Sequence, residues 1–181
     1  MGAYHPKHLS NTYYFYRNKW QGINVDPNPR SMQLLSIFRK RDVNINAAVA
    51  GRNGSIKFHC WNSVYDTISE QEAKEIRQKM GPEKEIIEVK TYRLETLLDK
   101  FLPINQSIDF FNIDAEGCDL EVLQSNNWSK YRPRLVVFED HNNNIDEIMI
   151  SQEVLFMKSV GYKLRSWNII SLIFILQEET A

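Results

Sequence analysis

The chain has 181 residues, of which 43% are hydrophobic and 25% are charged, and its formal net charge is −1. This length and balance predict a single domain, residues 1–181, with enough apolar residues for one core. Because the charge is near neutral and the basic residues are scattered, nothing indicates binding to nucleic acid or to an anionic membrane. The one tight basic cluster, residues 39–41, is predicted to be a solvated helix end.

The cysteines and the apolar runs of the sequence indicate in which cellular compartment the protein is expected. Cys60 and Cys118 are far apart and have no metal-like spacing, so we expect buried thiols rather than a disulfide. No apolar run reaches the ~18 residues that a membrane span needs. The first residues lack the apolar core of a signal peptide. These features predict a cytoplasmic protein without a membrane span.

Helices and strands alternate in the first part of the sequence. Apolar spacing predicts helices, and buried β-rich runs bounded by turn residues predict strands. The aromatic run at residues 13–16 has helical spacing and is predicted to pack in the core. The expected elements are a helix at 9–19, a strand at 22–26, a helix at 31–39, and strands at 43–50 and 55–61.

The second part continues the alternation after a charged excursion at residues 64–88. Gly161 ends the last predicted helix, and two strands follow so closely that only antiparallel pairing is possible. The expected helices are 69–80, 94–101, 119–125 and 148–160, and the expected strands are 85–92, 108–114, 135–139, 162–167 and 169–176. The pattern predicts an α/β fold with a doubly wound sheet and a C-terminal antiparallel hairpin.

Three predicted strands end in an acid, namely Asp26, Asp114 and Glu139. In open α/β sheets the ligand lies beyond the carboxyl ends of the strands. Because an unpartnered buried acid is costly, three acids at equivalent places indicate a shared polar site. For Asp114, capping of the following helix is an equally good explanation.

The sequence has a glycine turn at Gly2 and Ala3, followed by a helix, a strand and Asp26. This order of elements is typical of sites in which the acid hydrogen-bonds the ribose hydroxyls of a cofactor. The complete G-x-G-x-x-G pattern is missing, because the next glycine is Gly22. A nucleoside cofactor without phosphates therefore fits better than a nicotinamide dinucleotide, and the sequence also lacks a Tyr-x-x-x-Lys pair.

Four segments together resemble the FkbM family of S-adenosylmethionine-dependent methyltransferases. They are GAYHPKHLSNTYYFY, GINVDPNP, IDFFNIDAEGCDLEVLQSNNW and YRPRLVVFED, between residues 2 and 140. The resemblance implies a class I methyltransferase fold, which is Rossmann-like, and methylation of hydroxyl groups, often on sugars.

The resemblance also implies roles for individual residues. Gly2 and Ala3 would lie near the methionine part of S-adenosylmethionine, and Asp26 would hold its ribose. Asn46 and Ala47 would lie near the adenine.

Asp114 and Glu116 would face the sulfonium side and the acceptor. Relatives carry a strand and an acidic residue before the Gly-Ala pair, whereas Met1 stands at that place here. We therefore expect an N-terminally truncated methyltransferase domain in which the first strand is missing; alternatively, another segment takes the place of that strand, or the protein is a degenerate copy.

An alcohol acceptor needs a group that takes its proton as the new bond forms. Glu116, Asp114 and His141 are the candidates, and Glu116 ranks first because it lies in a loop at a strand end. Glu116 could instead be a helix N-terminal acid that favours the dipole, and His141 a surface histidine. His5 and His8 are three residues apart without a nearby acid or cysteine, so we expect no metal site.

The sequence therefore predicts an S-adenosylmethionine-dependent O-methyltransferase that acts on a hydroxyl of a sugar, glycan or other small metabolite. The excursion at residues 64–88 is expected near the acceptor. A catalytically inactive methyltransferase-like module or subunit is the alternative, because the expected cofactor site begins at the first residues.

Overall fold

A computed structural model describes residues 1–115, 117–140, 142 and 144–177. Helices and strands alternate along the chain. The helices are α1 (Tyr13–Arg17), α2 (Pro29–Phe38), α3 (Glu70–Met80), α4 (Leu94–Phe101), α5 (Asp119–Gln124), α6 (Ile145–Ile150) and α7 (Gln152–Ser159). The strands are β1 (Ile23–Asp26), β2 (Val43–Asn46), β3 (Ala48–Val49), β4 (Gly54–Cys60), β5 (Glu85–Tyr92), β6 (Phe110–Asn112), β7 (Leu135–Glu139), β8 (Tyr162–Asn168) and β9 (Ser171–Leu176).

The strands form three hydrogen-bonded groups. β1 pairs with β2, β5 lies between β3 and β4, and the third group has the order β6-β7-β9-β8. The pairs β1–β2, β3–β5 and β6–β7 are parallel. β8 and β9 are antiparallel, which confirms the predicted terminal hairpin. The fold is therefore a mixed α/β fold, as the alternation of elements predicted.

The first three residues lie between the β1 and β6 groups. The backbone nitrogen of Met1 donates to the carbonyl oxygen of Asn112 at 2.6 Å, and that of Ala3 donates to Val25 at 3.3 Å. The strand groups are thus linked by this segment at one end. A cavity of about 540 Å³ lies between β1 and β6, and residues of α4 also line it.

The main hydrophobic core lies where helices α4, α5 and α7 pack on the strands. Each of these helices buries one apolar face. The buried residues are Leu94, Leu97 and Leu98 of α4, Val122 and Leu123 of α5, and Val154 and Met157 of α7. The rings of Phe138 and Phe174 stack at 5.2 Å between their centroids and join β7 to β9. Fully buried members of this core include Leu97, Ile113, Val122, Leu123, Val136, Ile148, Val154, Met157 and Leu172.

Two predicted elements are divided in the structure. The predicted strand 43–50 becomes β2 and β3, because the backbone nitrogen of Ala47 donates to Asp26 and the chain then changes its partner from β1 to β5. The predicted helix 148–160 is interrupted at Ser151, whose ψ of 152° is extended. Its hydroxyl oxygen accepts from the nitrogen of Val154 and caps α7, so the interruption begins a new helix.

The predicted helix 9–19 and its aromatic core were wrong in part. Leu9 has a φ of 51°, which a right-handed helix cannot adopt, and the helix spans only Tyr13–Arg17. None of its residues is buried, and Tyr14 is 72% exposed. Phe15 does contact an aromatic neighbour on β6, because its ring centroid lies 5.0 Å from that of Phe110.

The predicted solvated helix end was wrong for Arg39, which is only 3% exposed. Its Nε donates to Asp42 Oδ2 at 2.8 Å, and its guanidinium lies over the ring of Tyr16. Asp42 also accepts from the backbone of Gly22 and from the side chain of Asn24. Because the pair is surrounded by hydrogen-bonding partners, the charge can be buried at this position.

Within the described residues, no helix has both the length and the apolar character needed to traverse a bilayer.

We expect Asp42→Ala to lower the free energy of unfolding by about 3–5 kcal/mol, because it leaves the buried Arg39 guanidinium without its carboxylate. Urea unfolding measures the loss. Lys40→Ala, at the exposed neighbouring position, is the control and should change stability by less than about 0.5 kcal/mol. Equal unfolding curves for the two variants would contradict the assignment of the ion pair as a structural element.

Candidate active site

A cavity of about 780 Å³ lies beyond the carboxyl ends of β1, β6 and β7. All three strand-end acids line it, as the sequence predicted. β6 and β7 are a parallel pair, so their carboxyl ends lie side by side, and the end of β1 lines the same cavity. The predicted site residues that line this cavity are Gly2, Asp26, Ala47 and Asp114, together with Glu139.

Ala3 and Asn46 lie elsewhere. Ala3 lines the smaller cavity between β1 and β6, because its nitrogen is bonded to β1. Asn46 is exposed, and its Nδ2 donates to the carbonyl oxygens of Asp26 and Pro27 at 3.0 and 2.9 Å. In the described part of the chain, Asn46 therefore stabilises the turn after β1 and is not part of the cavity lining.

Asp26 holds two segments of backbone at the cavity. Its Oδ2 accepts from the nitrogen of Tyr4 at 2.7 Å, and its Oδ1 accepts from that of Asn28 at 2.8 Å. The residue is only 6% exposed. Burial raises the pKa of the Asp26 carboxyl, and the two backbone hydrogen bonds oppose that rise. Each carboxylate oxygen can accept more than one hydrogen bond, so both can still accept from a ligand hydroxyl.

Gly2 lies against the strand end that carries Asp114. Its φ is 65°, and a Cβ atom at this position would overlap the carbonyl oxygen of Asp114. Only glycine combines this backbone conformation with so close an approach. The Gly-Ala turn that the sequence indicated is therefore the point where residues 1–4 contact the end of β6.

The loop between β6 and α5 is closed by its own hydrogen bonds. Asp119 Oδ1 accepts from the nitrogen of Ala115 at 3.1 Å, and the nitrogen of Cys118 donates to the carbonyl oxygen of Ala115 at 3.2 Å. Burial, with contributions from Asp114 and Glu139, raises the pKa of Asp119 to about 6. Burial likewise raises the pKa of the Cys118 thiol to about 11, so this cysteine is protonated at neutral pH.

The glutamate in the same motif, Glu121, has a structural contact. Its Oε1 accepts from the nitrogen of Gly51 at 2.8 Å, and a Cβ atom at position 51 would stand only 2.7 Å from that oxygen. This bond connects the start of α5 to the turn after β3. The motif at residues 114–121 therefore combines residues that line the cavity with residues that fix the surrounding backbone.

The excursion supplies the other wall of the cavity. Residues 63–68 line it, and so do Glu72, Glu75 and Lys79 of α3. Asp66 shapes this wall, because its Oδ1 accepts from the nitrogen of Trp61 at 2.7 Å. The predicted helix at 69–80 is confirmed within one residue as α3.

Two predicted catalytic residues, Glu116 and His141, lie outside the described residues. Asp114, the third candidate, lines the cavity.

Tyr4, Glu72 and Asp119 also belong to this region, although the sequence did not single them out. Asp119 lies five residues after Asp114, and the D-A-E-G-C-D spacing could have indicated a loop closed by its second aspartate. Tyr4 and Glu72 reach the cavity through tertiary contacts, and no local pattern marks them.

The model of the methyltransferase FkbM domain matches residues 1–164. The chain belongs to the FkbM methyltransferase family. The match covers the Gly-Ala turn, the three strand-end acids, the excursion and the closed loop after β6, so the whole cavity lies inside the FkbM domain. No curated protein and no solved structure gave a match to the chain.

Asp119 gives the FkbM domain a measurable pH dependence. Because the folded-state pKa is raised from 3.8 to about 6, the neutral carboxyl is favoured in the fold. Its contribution to stability is fully present below about pH 4 and is lost as the pH rises through 6, by at most about 3 kcal/mol. The free energy of unfolding of the wild type should therefore fall relative to that of Asp119→Asn between pH 4 and pH 7.

Urea unfolding at a series of pH values measures this difference. Asp146→Asn, which removes an exposed acid from the first turn of α6, is the matched control and should show no such trend. If the difference in free energy of unfolding between the wild type and Asp119→Asn stays constant from pH 4 to pH 7, the proposed raised pKa of a buried Asp119 is wrong.

Proposed function

We propose that the chain is an S-adenosylmethionine-dependent O-methyltransferase that acts on a hydroxyl of a sugar, glycan or other small metabolite. The observation that carries this proposal is the 780 Å³ cavity of the FkbM domain, which gathers Gly2, Asp26, Ala47 and Asp114. Its volume lies in the range of about 300–1,000 Å³ that is typical of small-molecule sites.

The three strand groups are proposed to act as one Rossmann-like, doubly wound arrangement in which residues 1–3 bridge β1 and β6. The parallel pairs β1–β2 and β6–β7 support this arrangement. A class I methyltransferase fold places the cofactor beyond the carboxyl ends of such strands. The two free cysteines, Cys60 and Cys118, are compatible with the cytoplasm, where we propose that the enzyme acts.

The residues at the cavity fit the parts of the proposed cofactor. The Asp26 carboxylate accepts hydrogen bonds, as recognition of a ribose diol requires. Ala47 lines the cavity where we propose that the adenine lies, and Gly2 lets the backbone approach the methionine part closely. When bound, S-adenosylmethionine supplies an activated methyl group, and the protein contributes alignment and a base.

The acceptor hydroxyl must lose its proton as the new carbon–oxygen bond forms. Asp114 lines the cavity and is a candidate for accepting this proton, together with Glu116 and His141. The excursion at residues 64–88 forms the opposite wall, and we propose that it contacts the acceptor. In this arrangement the acceptor lies between α3 and the strand ends.

We expect S-adenosylmethionine and S-adenosylhomocysteine to bind the wild type, as measured by isothermal titration calorimetry. Gly2→Ala should weaken both affinities by about tenfold or more, because a side chain with a φ of 65° is strained and would displace the segment from Asp114.

Gly22→Ala is the matched control, since a Cβ atom at position 22 has no neighbour within 4 Å. It should leave both affinities unchanged. Absence of binding by folded wild-type protein at millimolar ligand would refute the proposed function, and unchanged binding by Gly2→Ala would refute the placement of the cofactor beside Gly2.

A further inference from the structure

Helix α3 places charged side chains along the cavity. Glu72, Glu75 and Lys79 line it together with the apolar Ile76 and Met80, at the spacing of three and four residues that puts side chains on one side of a helix. The same side of the helix is packed, because Ala73 is completely buried and Ile76, which also lines the cavity, is 9% exposed. The cavity-lining side chains of α3 are therefore carried by a packed element.

Contacts of His59 and Arg77 with acidic side chains fix α3 at both ends. His59 of β4 is only 2% exposed, and its two ring nitrogens lie 3.1 Å from Glu70 Oε2 and 2.9 Å from Glu83 Oε1. Arg77 Nη2 lies 2.7 Å from the same Glu83 oxygen. Because Glu70 begins the helix and Glu83 follows it, this network holds α3 on the strand beneath it.

Glu72 is the α3 residue that meets the loop after β6. A Cβ atom at Gly117 would stand 2.9 Å from Glu72 Cγ and 3.0 Å from its Oε1. Gly117 has a φ of 84°, and its loop is the one that Asp119 closes. The Glu72 carboxylate therefore lies where α3 approaches the loop after β6, beside the residues that follow Asp114.

The charge of the cavity limits what can bind there. Carboxylates accept hydrogen bonds and donate none when ionised. A negatively charged ligand is repelled by these carboxylates, and the repulsion is stronger where water is partly excluded. Among the described lining residues, the basic groups are the side chain of Lys79 and the amino group of Met1, and the acids are more numerous, namely Asp26, Asp66, Glu72, Glu75, Asp114 and Glu139.

We propose that Glu72 is a specificity-determining residue, and that the acceptor is a polyhydroxylated molecule that is neutral or cationic rather than carboxylated or phosphorylated. The Glu72 carboxylate accepts hydrogen bonds from hydroxyl or ammonium groups of this acceptor. This inference rests on the proposed function, since it names the substrate class of the same cavity.

Amide NMR spectra of the full chain test this inference with D-glucosamine and D-glucuronate, two sugars that share a ring and differ in charge. Each is titrated into the free protein and into protein mixed with S-adenosylhomocysteine. Glucosamine should shift the amide signals of Glu72 and Gly117 and bind about fivefold or more tightly than glucuronate. Glu72→Gln should reduce this ratio, and Glu72→Lys should invert it.

Glu147→Gln, which changes an exposed acid of α6, is the matched control and should keep the wild-type ratio. The same spectra establish whether each variant is folded. Equal or tighter binding of glucuronate, an unchanged ratio in both Glu72 variants, or the absence of shifts at Glu72 and Gly117 with either sugar would overturn the inference. Failure of the proposed function is recognised separately, because S-adenosylhomocysteine would then not bind.

Discussion

The carboxylate of Asp26 holds together the part of the molecule on which the cavity depends. It accepts one hydrogen bond from the backbone of Tyr4 and one from that of Asn28. The first bond fixes residues 1–4 beside β1, and the second fixes the turn that begins α2. Gly2 then reaches the end of β6, where only a glycine fits against Asp114. Asp26 thus fixes two backbone segments that line the cavity. One of them, residues 1–4, also connects the β1 group to the β6 group.

The cavity wall that the excursion supplies is also fixed by polar contacts. The network of His59, Glu70, Arg77 and Glu83 ties α3 to β4, so the excursion is a packed part of the domain. Glu72 then brings this wall into contact with the loop after β6. In the proposed enzyme, the acceptor side and the cofactor side would therefore be connected at Gly117 and at Asn28, whose side chain donates to Asp66 of the excursion at 2.9 Å.

Local patterns were sufficient to predict most elements, because periodicity and turn residues reflect short-range preferences. β5, α4 and β7 have the predicted bounds, and the hairpin of β8 and β9 follows from the short connection. The split of residues 43–50 could not be predicted, since it depends on a hydrogen bond from Ala47 to a distant strand. The burial of Arg39 was equally hidden, because its partner Asp42 gains its other contacts only in the fold.

The same distinction applies to the site. Strand-end acids were predictable, because ligands of open α/β sheets bind beyond the carboxyl ends of the strands, and Asp26, Asp114 and Glu139 do share one cavity. Glu72 was not predictable, since it reaches the cavity through the docking of α3. Asn46 was assigned to the adenine from the resemblance, whereas its side chain bonds the backbone of the preceding turn.

In the proposed enzyme, the FkbM domain binds its cofactor in the 780 Å³ cavity that Asp26 and Asp114 line. Amide chemical-shift mapping with S-adenosylhomocysteine tests this placement most directly, because the chain has a second cavity between β1 and β6 that serves as an internal comparison. We expect the largest shifts at Asp26, Ala47 and Ala115, which among the described residues line the first cavity and not the second. Shifts concentrated at Phe15 and Phe101, which line the second cavity, would contradict it.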